Sequence, residues 1–365
     1  MKQADRQAER TAGAGLPAAA PDLVDWDLAV SLGRRMVRPG PALSRAEADE
    51  VVADLRRLAY EAEGHVVGYT GMVPHTRPTV AVIDRGEWIR SNVAGLRHLL
   101  APRLGRLSSK PPTGAALALG RRITATQVAA ALAFLASKVL GQYEIFLPDD
   151  EGGGRLSLVA PNVAEVERRL DVDHHDFRLW VCLHEQTHRV QFSAVPWLRE
   201  YMESEIDAYL AASNFDAAAL LGRLADAARA MRRRDGQSIV EALQTPEQKS
   251  VLDRLQALMS LLEGHADQVM DAVGPTVVPS VELIRSRFEE RRDSSSPLDR
   301  FVRRLLGLDL KMQQYRQGGA FVRALVNEVG VAGFNRVWDS PASLPTRAEI
   351  TDPRAWLDRV HGRAA

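Results

Sequence analysis

The sequence predicts an α+β protein that is mainly helical, and three observations carry that reading. Apolar residues recur at helical spacing through most of the 365 residues. Three short runs, β-branched or alternating, cluster before residue 161. Beyond them, turn signals separate stretches that show helical periodicity alone.

Composition narrows the class. Hydrophobic residues make up 45% and charged residues 26%, the balance of a globular chain with a large core. Lys+Arg and Asp+Glu are both 47, which argues against a nucleic-acid binder. The run Arg232, Arg233, Arg234 reads as a solvated helix face. The single cysteine, Cys182, excludes an intrachain disulfide or a Cys-rich metal site and fits a reducing compartment. The longest apolar run, 128–136, is too short to cross a bilayer. Residues 1–21 lack a continuous apolar stretch and read as a disordered tail rather than a signal peptide. The expected location is cytoplasmic, with neither nucleic acid nor membrane as partner.

From residue 22 the elements follow in order. An amphipathic segment begins at Trp26. Residues 44–62 form a helix with Ser44 and Glu47 in a capping box. Residues 92–104 and 124–140 continue the helical pattern, the second opened by Thr124. Strands are expected at 79–84, 143–147 and 155–160, the last two joined as a hairpin by the loop 148–154. Helix breaks are expected at 193–196, Gly236, Gly274–Pro275, 294–297, Gly318–Gly319 and 341–345. The expected organisation is a tail (1–21), a subdomain with the sheet (22–192) and a helical subdomain (193–365).

The chemistry centres on His184, Glu185, Gln186, Thr187 and His188, an H-E-x-x-H motif. On a helix, residues four apart share a face, so both imidazoles can reach one metal ion. Glu185, about 100° further round, can touch a metal-bound water without ligating. Zinc lowers the pKa of that water, and the carboxylate takes its proton. Asp173 is a plausible N-cap, with Asp176 in the first turn. Much of this helix is apolar, which implies burial, and buried histidines need partners. The competing reading is a pair of core histidines bonded to carbonyls.

A catalytic zinc needs a third protein ligand. One helix is framed by Thr245, Pro246 and Gln248 at its start, a capping box with proline at the first position. Its apolar stripe runs through Leu252, Leu255, Met259, Leu262, Ala266, Met270 and Val273, and Glu263 falls within it. An unpaired carboxylate there costs several kcal/mol or takes up a proton; a metal removes the problem. The competing reading is a salt bridge to an arginine. Asp267, at the stripe's edge, is placed to orient a ligating histidine. Cys182 lies about 160° from His184 and reads as a packed apolar residue.

H-E-x-x-H followed by a helix bearing Glu263 and Asp267 resembles the thermolysin-like branch of the zincin metallopeptidases. The resemblance implies Glu263 as third zinc ligand and Asp267 as buttress of a ligating histidine, His184. His188 and Glu263 are separated by a much longer stretch than in the best-known members. The segments FRLWVCLHE (177–185), VPWLR (195–199), LEGHAD (262–267) and KMQQY (311–315) are similar to an actinobacterial family of zincin-like hydrolases, and the similarity runs from about residue 22 to 360. That family carries the labels zinc-dependent metalloprotease and protein associated with biosynthesis of the deazaflavin coenzyme F-420; the second implies no chemistry.

The resemblance therefore implies a zincin-like fold, one zinc ion per chain and hydrolysis of a peptide or small amide. An oxyanion in that reaction needs a donor, for which Tyr315, Arg316 and His265 are the candidates, with Tyr315 taken as catalytic beside Glu185. By analogy with zincins, an extended substrate pairs with an edge strand, for which 155–160 is the candidate. Two rivals stay open: a catalytically silent zincin scaffold used for binding or regulation, and a metal-free helical interaction protein.

Overall fold

Helix α1 (Trp26–Met36) starts where the Asp25 carboxylate accepts from the N–H of Leu28. The computed structural model describes residues 23–76, 79–107, 114–147, 154–212, 245–293 and 308–362. The tail 1–21 and the expected breaks at Gly236 and 294–297 lie outside the described residues. Helix α2 (Arg45–Thr70) has the expected Ser44–Glu47 capping box and ends at Gly71, whose φ of 67° suits a residue without Cβ. Strand β1 (Thr79–Ile83) stops one residue short of the expected end because Asp84 caps helix α3 (Arg85–Leu107).

Helix α4 (Gly114–Ala136) corrects the expected start at Thr124. The Thr124 hydroxyl donates to the carbonyl of Gly120 inside the helix instead of capping it. Strand β2 (Gly141–Glu144) lies earlier than the expected 143–147, and β3 (Arg155–Val159) pairs antiparallel with it, Glu144 opposite Arg155. Gly154, just before β3, has φ 74°. The Glu144 carboxylate closes the hairpin by accepting from Arg155 and from the buried Ser157.

The sheet order is β1-β3-β2, with β1 parallel to β3. Strand β3 is therefore central, which corrects its expected role as the edge that receives a substrate. The expectation came from its position just upstream of the motif helix; the long-range pairing with β1 occupies its second side. Strand β2 is the edge on the motif side.

Helix α5 (Ala160–Leu170) leads to the motif helix α6 (His174–Ala194), capped by Asp173 as expected and ended before Pro196. Helix α7 (Leu198–Ala211) follows. Helix α8 (Pro246–Val277) begins with the expected Thr245–Gln248 capping box. It runs through the expected stop at Gly274–Pro275, because Pro275 sits in its last turn and Val278 N–H still bonds the Gly274 carbonyl. Helices α9 (Val281–Asp293) and α10 (Leu308–Phe334) follow, then 3-10 turns at Asn335–Trp338 and Pro341–Ser343, α11 (Arg347–Thr351) and α12 (Pro353–Val360). The result is the expected α+β, mainly helical architecture. No described helix is long and apolar enough to cross a membrane.

Two cores hold these elements. Trp26, Trp88, Ile89 and Leu132 join α1, α3 and α4. A larger one, including Leu55, Phe177, Leu183, Leu262 and Phe321, joins α2, α6, α8 and α10. Cys182 is buried in this second core, as expected of a packed residue.

The expected break at Gly318–Gly319 is instead a crossing. Helix α10 continues through it and kinks at Gly330. A Cβ on Gly318 would overlap the carbonyl oxygen of Ser260, and one on Gly264 would overlap the Gly318 backbone. The two helices thus meet backbone to backbone beside Glu263. Gly318→Ala is expected to destabilise the protein by about 2–3 kcal/mol, read as a lower urea midpoint; an unchanged midpoint would refute the close contact.

Candidate metal centre

Helix α6 is almost wholly buried, with Phe177, Val181, Leu183 and Val190 inside. Its register against the core turns His184 and His188 toward a cleft. Their rings lie edge to face, centroids 4.8 Å apart, and their Nε2 atoms are 3.2 Å apart. Glu263 arrives from α8, with Oε2 3.7 Å from His184 Nε2 and 3.8 Å from His188 Nε2. Tetrahedral zinc with bonds of about 2.0–2.2 Å separates its ligand atoms by about 3.3–3.6 Å. The three donors therefore fit one such ion, and two imidazole nitrogens with a carboxylate oxygen are a ligand set that zinc takes.

The cleft has a volume of about 250 Å³. Gly141, Gln142 and Tyr143 of the edge strand form one side; Phe192, Met202, Met259 and Leu262 form an apolar wall. Gly141 is what allows β2 to pass over Glu185: a Cβ there would stand 2.6 Å from Glu185 Cγ.

Electrostatics follow from this enclosure. Glu185, 8% exposed, is pushed up from 4.5 to about 8, first by burial and then by the charge of Glu263. His184 is lowered from 6.5 to about 4 by burial and by His188, with Glu263 opposing. Asp267 is raised to about 6 by burial and by the neighbouring Glu263 and Asp271.

Not every expected partner meets. Among the described residues no hydrogen bond joins Asp267 to His184; its carboxylate lies near Gly319. The polar support is on the other histidine, where His188 Nδ1 is 3.0 Å from Gln191 Oε1. Gln191 was not among the residues singled out from the sequence. Its signal was available there: an amide within a buried helix, three residues past a ligand candidate. His265, an oxyanion candidate, is turned into the core, 1% exposed, with Phe334 and Trp338 beside it. Tyr315 and Arg316 are on α10, and their side chains lie outside the described residues.

The sequence profile of the zincin-like metallopeptidases matches residues 24–357. The chain belongs to that family. This zincin-like chain is also similar to a crystal structure from Chloroflexus aurantiacus described as a candidate hydrolase with a novel fold, at 31% identity and a TM-score of 0.68. The similarity covers 94% of this chain and 100% of that one. No curated protein matches the zincin-like chain. Family membership implies zinc binding and hydrolase chemistry, and His184, His188 and Glu263 form a site able to hold the ion.

In the metal-stripped protein Glu185 must gain a proton to fold at neutral pH, whereas the unfolded chain ionises above about pH 4.5. The folded state binds the extra proton, so stability falls as pH rises from 4.5 toward 8. Glu185→Gln removes the penalty. The stripped variant is expected to exceed the stripped wild type by about 2–3 kcal/mol at pH 7 and to match it at pH 4. Denaturant unfolding at both values checks this; a pH-independent difference would contradict it.

Proposed function

We propose that this zincin-like chain is a zinc-dependent metallopeptidase that cleaves peptide or small amide bonds, with His184, His188 and Glu263 as zinc ligands and Glu185 as general base. The observation that carries the reading is the convergence of those three donors beside a second carboxylate, the buried Glu185, that has no arginine or lysine partner among the described residues. Zinc held there supplies a Lewis acid and makes water acidic enough to lose a proton near neutral pH.

Glu185 takes that proton on a carboxylate oxygen and passes it to the leaving nitrogen. Its burial matters in both directions. It excludes bulk water, and it holds the group's proton affinity near the working pH once a cation offsets the charge of Glu263. The place of β2 at the edge of the sheet, lining the cleft next to Glu185, supports an extended peptide as substrate. Tyr315 is assigned as oxyanion donor. It lies one helical turn before Gly318, and Gly318 meets the backbone of α8 beside Glu263.

The test is zinc content together with cleavage of an unbiased peptide library. Wild type is expected to hold one zinc and to cleave. Glu185→Gln should hold the same zinc and lose about 10²–10⁴-fold in turnover. Gly141→Ala should also keep zinc and lose turnover, because its methyl group displaces Glu185. Equal cleavage by wild type and Glu185→Gln would overturn the mechanism; zinc without cleavage by any form would favour the silent scaffold.

A further inference from the structure

We propose that Gln191 is a positioning residue that fixes His188 as the Nδ1–H imidazole, and that the backbone carbonyl of Leu262 on α8 dictates which way its amide points. The inference deepens the metal-site reading, since it takes His188 as a ligand through Nε2. It rests on three hydrogen bonds that join the side chains of Gln191, His188 and His265 to one another and to one backbone carbonyl.

Gln191 is fully buried, on the motif helix and out of reach of bulk water. Its Nε2 lies 3.0 Å from the carbonyl oxygen of Leu262 and 3.0 Å from Nδ1 of His265. Its Oε1 lies 3.0 Å from Nδ1 of His188. An amide has two orientations that differ little in shape, so chemistry has to choose between them. A backbone carbonyl can only accept. With the amide reversed, the Gln191 oxygen would face the Leu262 oxygen, two acceptors in a buried place, at the cost of an unsatisfied group. The nitrogen therefore faces Leu262 and the oxygen faces His188.

That oxygen can only accept, so His188 Nδ1 must donate. In the neutral ring the lone pair is then on Nε2, the atom aimed at His184 and Glu263. The second amide hydrogen is taken by His265 Nδ1, which leaves the amide without a free donor. Leu262 directly precedes Glu263. One segment of α8 thus supplies the third ligand candidate and, through Gln191, sets the tautomer of a ligand candidate on α6. When α8 is docked, both are in place together.

A purely structural glutamine would lower stability on removal and leave the ligand chemistry alone. The positioning role predicts a spectroscopic change. Protein labelled with ¹⁵N-histidine and stripped of metal is examined by long-range ¹H–¹⁵N NMR, the His188 signals being assigned by their loss in His188→Asn. Wild type should show His188 protonated at Nδ1 and bare at Nε2. Gln191→Met, similar in volume, should lose that single tautomer while the signals of the distant His98 and His361 stay unchanged. Its zinc affinity, measured by chelator competition, should fall about 10–100-fold.

Wild-type His188 protonated at Nε2 overturns the proposal without any variant, so a Gln191→Met chain that fails to fold does not shelter it. An unchanged tautomer and affinity in Gln191→Met overturns it as well. A wild type that shows the Nδ1–H tautomer but binds no zinc supports this arrangement while ending the metallopeptidase reading.

Discussion

A cleft walled by two carboxylates and two imidazoles, with no lysine or arginine on its lining among the described residues, is short of positive charge. That shortage acts together with burial on the groups around it. Glu185 is driven to hold a proton, first by burial and then by Glu263, and the two imidazole Nε2 atoms stand 3.7 and 3.8 Å from one Glu263 oxygen. A divalent cation meets all of these demands at one point, which a protein side chain of single charge and fixed reach cannot do. The surrounding fold works to keep the four groups together despite their mutual repulsion.

Two packing devices do that. Helix α6 is held by its apolar face and by Gln186, which donates to the Ala59 carbonyl of α2. Helix α8 is held against α10 by contacts that only glycine permits, at Gly264 and Gly318. Gln191 joins the two helices across the site itself. A third glycine, Gly141, lets the edge strand lie over Glu185 and close that side of the cleft. Small residues here measure how closely backbones must approach chemistry.

The parts legible in the sequence were those governed by local geometry. Four-residue spacing on a helix places His184 and His188 on one face regardless of what lies elsewhere, and a carboxylate in the apolar stripe of α8 marks Glu263. Capping boxes at Ser44 and Thr245 likewise act within one turn. The parts misread depend on partners distant in sequence. Whether β3 is an edge is decided by β1, more than seventy residues earlier. Gly318–Gly319 carries the same local signal for a break as for a helix crossing, and only α8 distinguishes them. Asp267 sits one turn from Glu263 as a buttress should, yet the spacing says nothing about which histidine, if either, it faces.

The central claim is that one cation is shared by two helices. The most direct measurement is anomalous diffraction at the zinc absorption edge from crystals of the zinc-loaded protein. A single peak bonded to His184 Nε2, His188 Nε2 and a Glu263 oxygen, at about 2.0–2.2 Å from each, is the expected result. Zinc bound elsewhere, or bound to the histidines with Glu263 turned away, would contradict it.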